Sequence, residues 1–299
     1  MREPRSIPFC IRIAVFSTAL GFGTLPGSCP LQADPFPPPS LSIPEANALL
    51  PESSANSLVQ TVGLCFMHRP YEPATSEATI FDLGVEATLA QAPSSLAQAF
   101  STLTSVDGSS NSPMSIPFLP SPKLHLRKGF NDTWDGGISA LYIPSQIPYL
   151  GNTLILGGDL KAALTHPEEG PLIAFRGAYT FTQFNLSYQD YSLLTQTATF
   201  SPMLLISRKL NFADPYLGAG YQYTWGSVRL SVQNPSQLAQ LGPGTALSPF
   251  SVTQNGSAQG LFFFLGLSIK TPAKLRISIE GSYSPTGINT LGTKIGFTL

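Results

Sequence analysis

Apolar and polar residues alternate strictly over the last forty positions of the chain. In Gln259–Lys270 the apolar set is Leu261, Phe263, Leu265, Leu267 and Ile269. In Lys274–Ser284, Leu275, Ile277, Ile279 and Tyr283 face away from Arg276, Ser278, Glu280 and Ser282. In Ile288–Leu299, Leu291, Ile295, Phe297 and Leu299 oppose Lys294, Gly296 and Thr298. A period of two places one greasy and one polar face on each segment, so each is predicted as a strand. The same pattern predicts strands over Ala78–Ala90, Lys123–Gly129, Thr133–Ile143, Asn152–Leu164, Leu172–Thr182, Gln196–Leu210 and Pro215–Leu230. Pro202 interrupts one of them, and a bulge or an extension beyond the regular sheet is expected there.

The connections sort by length. Counting back from the C-terminus, one end of the strands carries Thr271–Ala273, Asn211–Asp214, Thr165–Gly170 and Phe130–Asp132. The other end carries Pro285–Gly287, Ser231–Ser257, Gln183–Thr195, Pro144–Gly151 and Gln91–Pro122, which include every link beyond about eight residues. A soluble sandwich has no reason to segregate its loops. A transmembrane barrel does, with short turns on the periplasmic side and freer loops outside. The expected fold is all-β: a single antiparallel up-and-down transmembrane barrel of about ten strands over 78–299. Twelve strands result if Phe184–Tyr191 hides another hairpin, and an even count leaves both termini periplasmic.

Composition supports this choice. Charged residues make up 11% of the 299 and hydrophobic residues 42%, with mean hydropathy +0.12. After the N-terminus no apolar run approaches the ~18 residues that a membrane helix needs. Arg2, Arg5 and Arg12 followed by the apolar stretch Ile13–Leu25 form an export signal over 1–33, with Leu31-Gln32-Ala33 before the expected cut. Lipidation of Cys29 is a second option. Cleavage after Ala33 leaves Cys65 as the lone cysteine, a small buried hydrophobe with no disulfide partner. Residues 34–77 form a leader rich in Pro and Ser, opening Asp34-Pro35-Phe36-Pro37-Pro38-Pro39. A short helix is expected at 57–67. The leader is read as lying along the barrel rim, with a helix tucked into the mouth as the alternative.

The closing hairpins resemble those of Gram-negative outer-membrane β-barrels. His68-Arg69-Pro70-Tyr71-Glu72-Pro73-Ala74, followed by Phe81-Asp82-Leu83-Gly84-Val85-Glu86, resembles the opening of an uncharacterised, porin-like family of exported barrels. That resemblance implies a home in the outer membrane, contact with its lipid, and recognition of the C-terminal strand by the barrel-assembly machinery. The aromatic expected at the last position is replaced by Leu299, with Phe297 two residues earlier.

Turned inward, the polar faces supply candidate lumen-lining charges: Asp82, Glu86, His125, Arg127, Asp135, Asp159, Lys161, Arg176, Lys270, Arg276, Glu280 and Lys294. Both signs occur in similar numbers. One reading is a salt-bridged lumen; the other is a narrow channel for small solutes, with Arg176, Arg276 and Lys294 facing Asp159 and Glu280. Trp134, Tyr142, Tyr221, Tyr223 and Trp225 are candidate membrane-interface aromatics. No phosphate loop, metal spacing or nucleophile elbow appears, and net charge −1 gives no pull toward nucleic acid. No cofactor, metal or catalytic residue is expected. His68 falls in the leader, His125 reads as a lumen hydrogen-bonder, and His166 sits beside Glu168 and Glu169 in a short link. Alternative functions are adhesion through the long loops 91–122 and 231–257, or a secreted soluble β-sandwich.

Overall fold

The computed structural model describes residues 50–69, 71–75, 81–91, 118–145, 151–165, 170–188, 191–233 and 250–299. His166 and most of the two longest loops lie outside them.

Ten strands close into one antiparallel barrel, each paired with its sequence neighbours and β1 with β10. They are β1 (Phe81–Gln91), β2 (Phe118–Gly129), β3 (Trp134–Ile143), β4 (Thr153–Ala163), β5 (Pro171–Tyr188), β6 (Tyr191–Arg208), β7 (Ala213–Val232), β8 (Phe250–Lys270), β9 (Leu275–Tyr283) and β10 (Thr290–Thr298). Each ladder holds a single register throughout. The sequence count of ten is therefore the observed one. Phe184–Tyr191 adds no hairpin: it lengthens β5 and β6, which pair out to Tyr188↔Tyr191. Pro202 makes no bulge either. Pairing of β6 to β7 lapses between Phe200↔Tyr223 and Met203↔Gly220 and resumes in the same register, because proline has no N–H to give. Two segments assigned to loops are strand. β2 begins at Phe118, with Pro120 and Pro122 in a stretch that pairs to β1 alone, where a missing donor is tolerated. β8 begins at Phe250 and pairs along the whole of β7.

The barrel wears its apolar residues outside. In β1, Phe81, Leu83, Val85 and Leu89 are exposed, while Asp82, Gly84, Glu86 and Thr88 are buried on the inner face. Among the described residues, the charged outward side chains on strands are Lys128 and Arg208 near the short-link end and Arg229 near the long-loop end. Between them the belt is neutral and greasy. In β7 it runs from Pro215 to Trp225, about ten steps of about 3.4 Å; a tilt of about 40° reduces that to about 26 Å, the height of a bilayer's hydrocarbon layer. Trp134, Tyr142, Tyr221, Tyr223 and Trp225 are all exposed on this outer surface, and Trp225 contacts Tyr179 and Tyr223 with ring centroids 6.3 and 5.4 Å away.

Toward the long-loop end of β5–β8 the polarity inverts. Outward positions become Gln183, Asn185, Gln196, Ser227, Arg229, Asn255, Ser257 and Gln259, while Phe184, Leu186, Leu193, Val228, Val232 and Val252 turn inward and are buried. These four strands therefore rise past the greasy belt as a wall with a wet outside and a dry inside.

The dry inside holds a helix, α1 (Glu52–Phe66), somewhat longer than the 57–67 expected. Pro51 precedes its first turn and Glu52 places negative charge there, where the peptide dipoles favour it. Its apolar residues Leu58, Val59, Val62, Leu64, Cys65 and Phe66 join one buried cluster with Ala90, Leu119, Ile155, Phe184, Leu186, Leu193, Val228, Val232, Val252 and Ile288. Those strand residues all lie near long-loop ends, so α1 lies across that mouth. It runs from β8, where Asn56 accepts a 2.9 Å hydrogen bond from the Ser257 amide, to β5, where Phe66 meets Phe184. The rim placement is corrected here. Above the belt the outer wall is polar, and the helix buries its greasy face by turning into the mouth.

An arginine placed in the belt at Leu265, which is 70% exposed, should cost about 2–4 kcal/mol of unfolding free energy in phospholipid vesicles. Asn255→Arg, past the inversion on the same strand, should cost less than about 0.5 kcal/mol. Urea titration of the vesicle-refolded variants measures both.

Candidate functional site: the plugged lumen

After α1 the chain runs down the lumen as a non-helical segment, described at 67–69 and 71–75, with Tyr71 in left-handed backbone at φ 49°. Its descent is visible on three strands. Along β10, Arg69 meets Thr290, Tyr71 lies against Gly292 and Glu72 pairs with Lys294. Along β4, His68 contacts Asp159 and the carbonyls of Pro73 and Thr75 reach Lys161. Along β6, Met67 meets Ser201 and the Ala74 amide donates to Ser207. The wall is notched to admit it. A Cβ on Gly292 would stand 2.1 Å from the Tyr71 hydroxyl, and one on Gly157 would stand 2.8 Å from His68 Nδ1.

Glu72 is the hub. One carboxylate oxygen lies 2.7 Å from Arg127 Nε and the other 2.6 Å from Lys294 Nζ. Lys294 also lies 2.7 Å from Asp82. Arg127 reaches Asp159 at 3.1 Å and makes a further short contact with Asp135, which in turn holds Lys161 at 2.9 Å. Arg176 lies 3.4 Å from Asp159, and Lys123 lies 3.0 Å from Glu86 while donating to the Met67 carbonyl at 3.1 Å. All of these side chains are buried. The network's chemistry is mutual neutralisation: each of these wall ions is met by an ion of opposite charge. Asp82 and Glu86 meet their ammonium partners at ion-pair distance but outside hydrogen-bond geometry.

Of the twelve lumen candidates, the structure buries eleven on the inner face; Glu280 among them accepts from the Tyr216 hydroxyl at 3.1 Å. Lys270 stands apart. It lies at the short-link end of β8, its side chain 30% exposed, 3.0 Å from Asp214. Among the described residues, two of the three cations expected at a constriction already have ion-pair partners. Arg176 and Lys294 are engaged by Asp159, Asp82 and Glu72, and the space left beside Glu72, Arg127 and Arg276 is about 20 Å³, room for a single water. The sequence reading missed the leader's own contribution: His68, Arg69, Tyr71 and Glu72. The available signal was a dense polar run between an apolar helix and the first strand.

Two constellations invite a chemical reading. His68 Nδ1 lies 2.7 Å from Ser139 Oγ and its Nε2 lies 2.8 Å from Asp159, a Ser–His–Asp line with the ring nitrogens exchanged relative to hydrolase triads. All three residues are buried, His68 on the plug itself and the other two on the wall, and Asp159 is already shared by Arg127 and Arg176, so the line fastens the plug to β3 and β4. His68, His125 and Asp159 could also offer three metal ligands within 4.8 Å of one another, as could Glu72, Asp82 and His125. Arg127, Arg176 and Lys294 occupy those carboxylates, and a divalent cation would have to displace them against their charge. We assign no metal to either set. His125 stacks obliquely on His68 at 5.6 Å, and both its ring nitrogens lack a hydrogen-bond partner among the described residues.

Glu72→Gln leaves Arg127 and Lys294 short of charge in a dry interior and should cost about 3–5 kcal/mol in urea unfolding. Lys270→Gln, at the wet end of the barrel, should cost less than about 1 kcal/mol. Cys65, buried in α1, should resist maleimide in the folded protein and react once it is unfolded, as mass spectrometry would register.

No protein-family model matches this chain, and no curated protein is similar to it in sequence. Solved structures similar in fold include the outer-membrane protease OmpT of Escherichia coli, at 8% identity and TM-score 0.36, covering 75% of this chain and 96% of that one. Ail of Yersinia pestis matches at 11% identity and TM-score 0.26, over 74% and 97% of the two chains. Omp33 of Acinetobacter baumannii matches at 7% identity and TM-score 0.26, over 76% and 100%. These structure neighbours are outer-membrane β-barrels. Overlaps this loose lend no residue role or activity to this chain.

Proposed function

We propose that this chain is a Gram-negative outer-membrane β-barrel that is held shut by its own residues 50–75 and serves as a structural or presenting barrel in place of an open pore. The short links face the periplasm and the long loops face outward. The observation that carries the reading is the pairing of Glu72 with both Arg127 and Lys294, which ties the plug to β2 and β10, the two strands that flank β1. The neutral outer belt, framed by Lys128, Arg208 and Arg229, fits an acyl-chain layer between two headgroup zones. Outer-membrane lipid is then the partner of the belt. The exposed Phe297 and Leu299 at the end of β10 are what the assembly machinery would meet. Passage of a small solute requires Met67–Thr75 to leave, and leaving breaks every buried contact of Glu72 at once.

Planar-bilayer recording decides between plugged barrel and channel. The purified full chain should leave the bilayer silent, and a variant lacking residues 50–75 should conduct in discrete steps. Glu72→Gln/His68→Ala, which keeps the segment but cuts its anchors, should flicker. Steady ohmic conductance from the unaltered chain would refute the plug.

A further inference from the structure

Where the outer face of β5–β8 passes from greasy to polar, the wall carries an open furrow of about 450 Å³. It arises from a short residue among long ones. Ala198 on β6 stands between its register partners Phe181 on β5 and Trp225 on β7, and all three face outward. The Trp225 ring lies 6.3 Å from that of Tyr179, two strands away, so it crosses the small Ala198 side chain and forms a ledge. The next outward row above the ledge is polar: Gln196, Ser227 and Asn255 are successive register partners across β6, β7 and β8. Gln196 is held by a 3.3 Å hydrogen bond to Gln183, and Ser227, the shortest of the row, keeps the furrow open. Two residues further along β7, about 7 Å away, Arg229 faces outward. Its Nε donates to Thr253 Oγ1 at 3.2 Å. Among the described residues it is the only charged side chain facing outward on the strands at this end. Below the ledge, Tyr179, Phe200 and Tyr223 are exposed and begin the greasy belt.

We propose that this furrow holds the sugar–phosphate headgroup of an outer-leaflet glycolipid, whose acyl chains lie down the belt over Tyr179, Phe200 and Tyr223. The proposal rests on the outer-membrane reading above, with the long loops outward. The requirements of such a lipid are met in the vertical order in which its parts occur. Aromatic rings at the bottom of the furrow suit chains and the C–H face of a sugar ring. The amides of Gln196 and Asn255 and the Ser227 hydroxyl suit the ring's hydroxyl and amide groups, which both donate and accept. Arg229, one row higher, suits a phosphate, which a planar guanidinium grips with paired charge-assisted bonds. The volume falls within the range of about 300–1,000 Å³ usual for small-ligand sites. A phosphatidyl lipid brings the phosphate and the chains but no ring to fill the furrow. A free sugar leaves the aromatic ledge and the belt beneath it without a partner.

Trp134→Phe leaves Trp225 as the single tryptophan, so its fluorescence reports on the furrow. The full chain with that substitution is refolded into phosphatidylcholine vesicles containing rising fractions of one probe lipid. One probe is lipid A, a bisphosphorylated, acylated glucosamine disaccharide; the other is phosphatidylglycerol, which has charge and chains without the sugar. Lipid A should shift Trp225 emission saturably, with a midpoint at least about tenfold lower than that of phosphatidylglycerol. Arg229→Gln and, separately, the pair Gln196→Leu/Asn255→Leu should each raise the lipid A midpoint at least about fivefold. These positions are exposed, so both variants should fold, as a slower or faster band in unboiled gels would register. Equal midpoints for the two lipids would overturn the glycolipid assignment. Midpoints unchanged in both variants, or insertion with no response to lipid A, would overturn the furrow as a site and leave the outer-membrane reading standing. A chain that never enters vesicles would overturn that reading, and the site with it.

Discussion

Eleven ionised groups on the inner wall of this cylinder are buried away from bulk water, so they depend on counter-charge found inside. The wall of this barrel presents Lys123, Arg127, Lys161, Arg176, Arg276 and Lys294 inward, against Asp82, Glu86, Asp135, Asp159 and Glu280. The wall is short of an anion where Arg127 and Lys294 approach one another, and Glu72 supplies it from a segment outside the sheet. Burying such ions is costly, and the attraction between them offsets the cost only when each is well partnered. The plug is therefore a part of the wall's electrostatics. Its carbonyls at Met67, Pro73 and Thr75 take ammonium protons that no side chain meets, so even its backbone acts as counter-ion.

The second organising constraint is the change of solvent along the barrel's height. Within the belt the outside is greasy and the inside is ionic. Past Gln183, Gln196, Ser227 and Gln259 the outside is polar and the inside is aliphatic. One chain of alternating residues meets both conditions by exchanging which parity carries the apolar side chains, with no bulge or register shift between them. The non-helical part of the plug occupies the ionic level and the helical part occupies the aliphatic one. A helix satisfies its own backbone and can present a greasy stripe to a greasy wall. A non-helical segment leaves its backbone free for the polar level below.

The same division explains how much could be read from the sequence. All ten strands were legible where the belt forces apolar residues onto one parity, as in Leu261–Ile269 or Leu275–Ile279. The upper part of β8 was not. From Phe250 to Gly260 its outward residues are Ser251, Thr253, Asn255, Ser257 and Gln259, and its inward ones include Gly256, Ala258 and Gly260, so the period of two carries no hydrophobic signal. Small residues there make room for α1: a Cβ on Gly256 would stand 3.0 Å from Asn56 Oδ1. Inward-facing charge was legible as a set, because any charge within a belt strand must turn inward. Its partners were not, since pairing Glu72 with residues 55 and 222 positions away in the chain needs the closed cylinder. Lys270 shows the limit of the parity rule, which gives the face of a strand and not the distance from its end.

Hydrogen–deuterium exchange of the full chain in lipid vesicles, resolved by peptide, tests the central claim that residues 52–75 are an integral part of the folded barrel. The account predicts that amides of 52–75 exchange as slowly as those of the paired regions of β5–β8. Complete exchange of that segment within seconds, with the strands still protected, would contradict it.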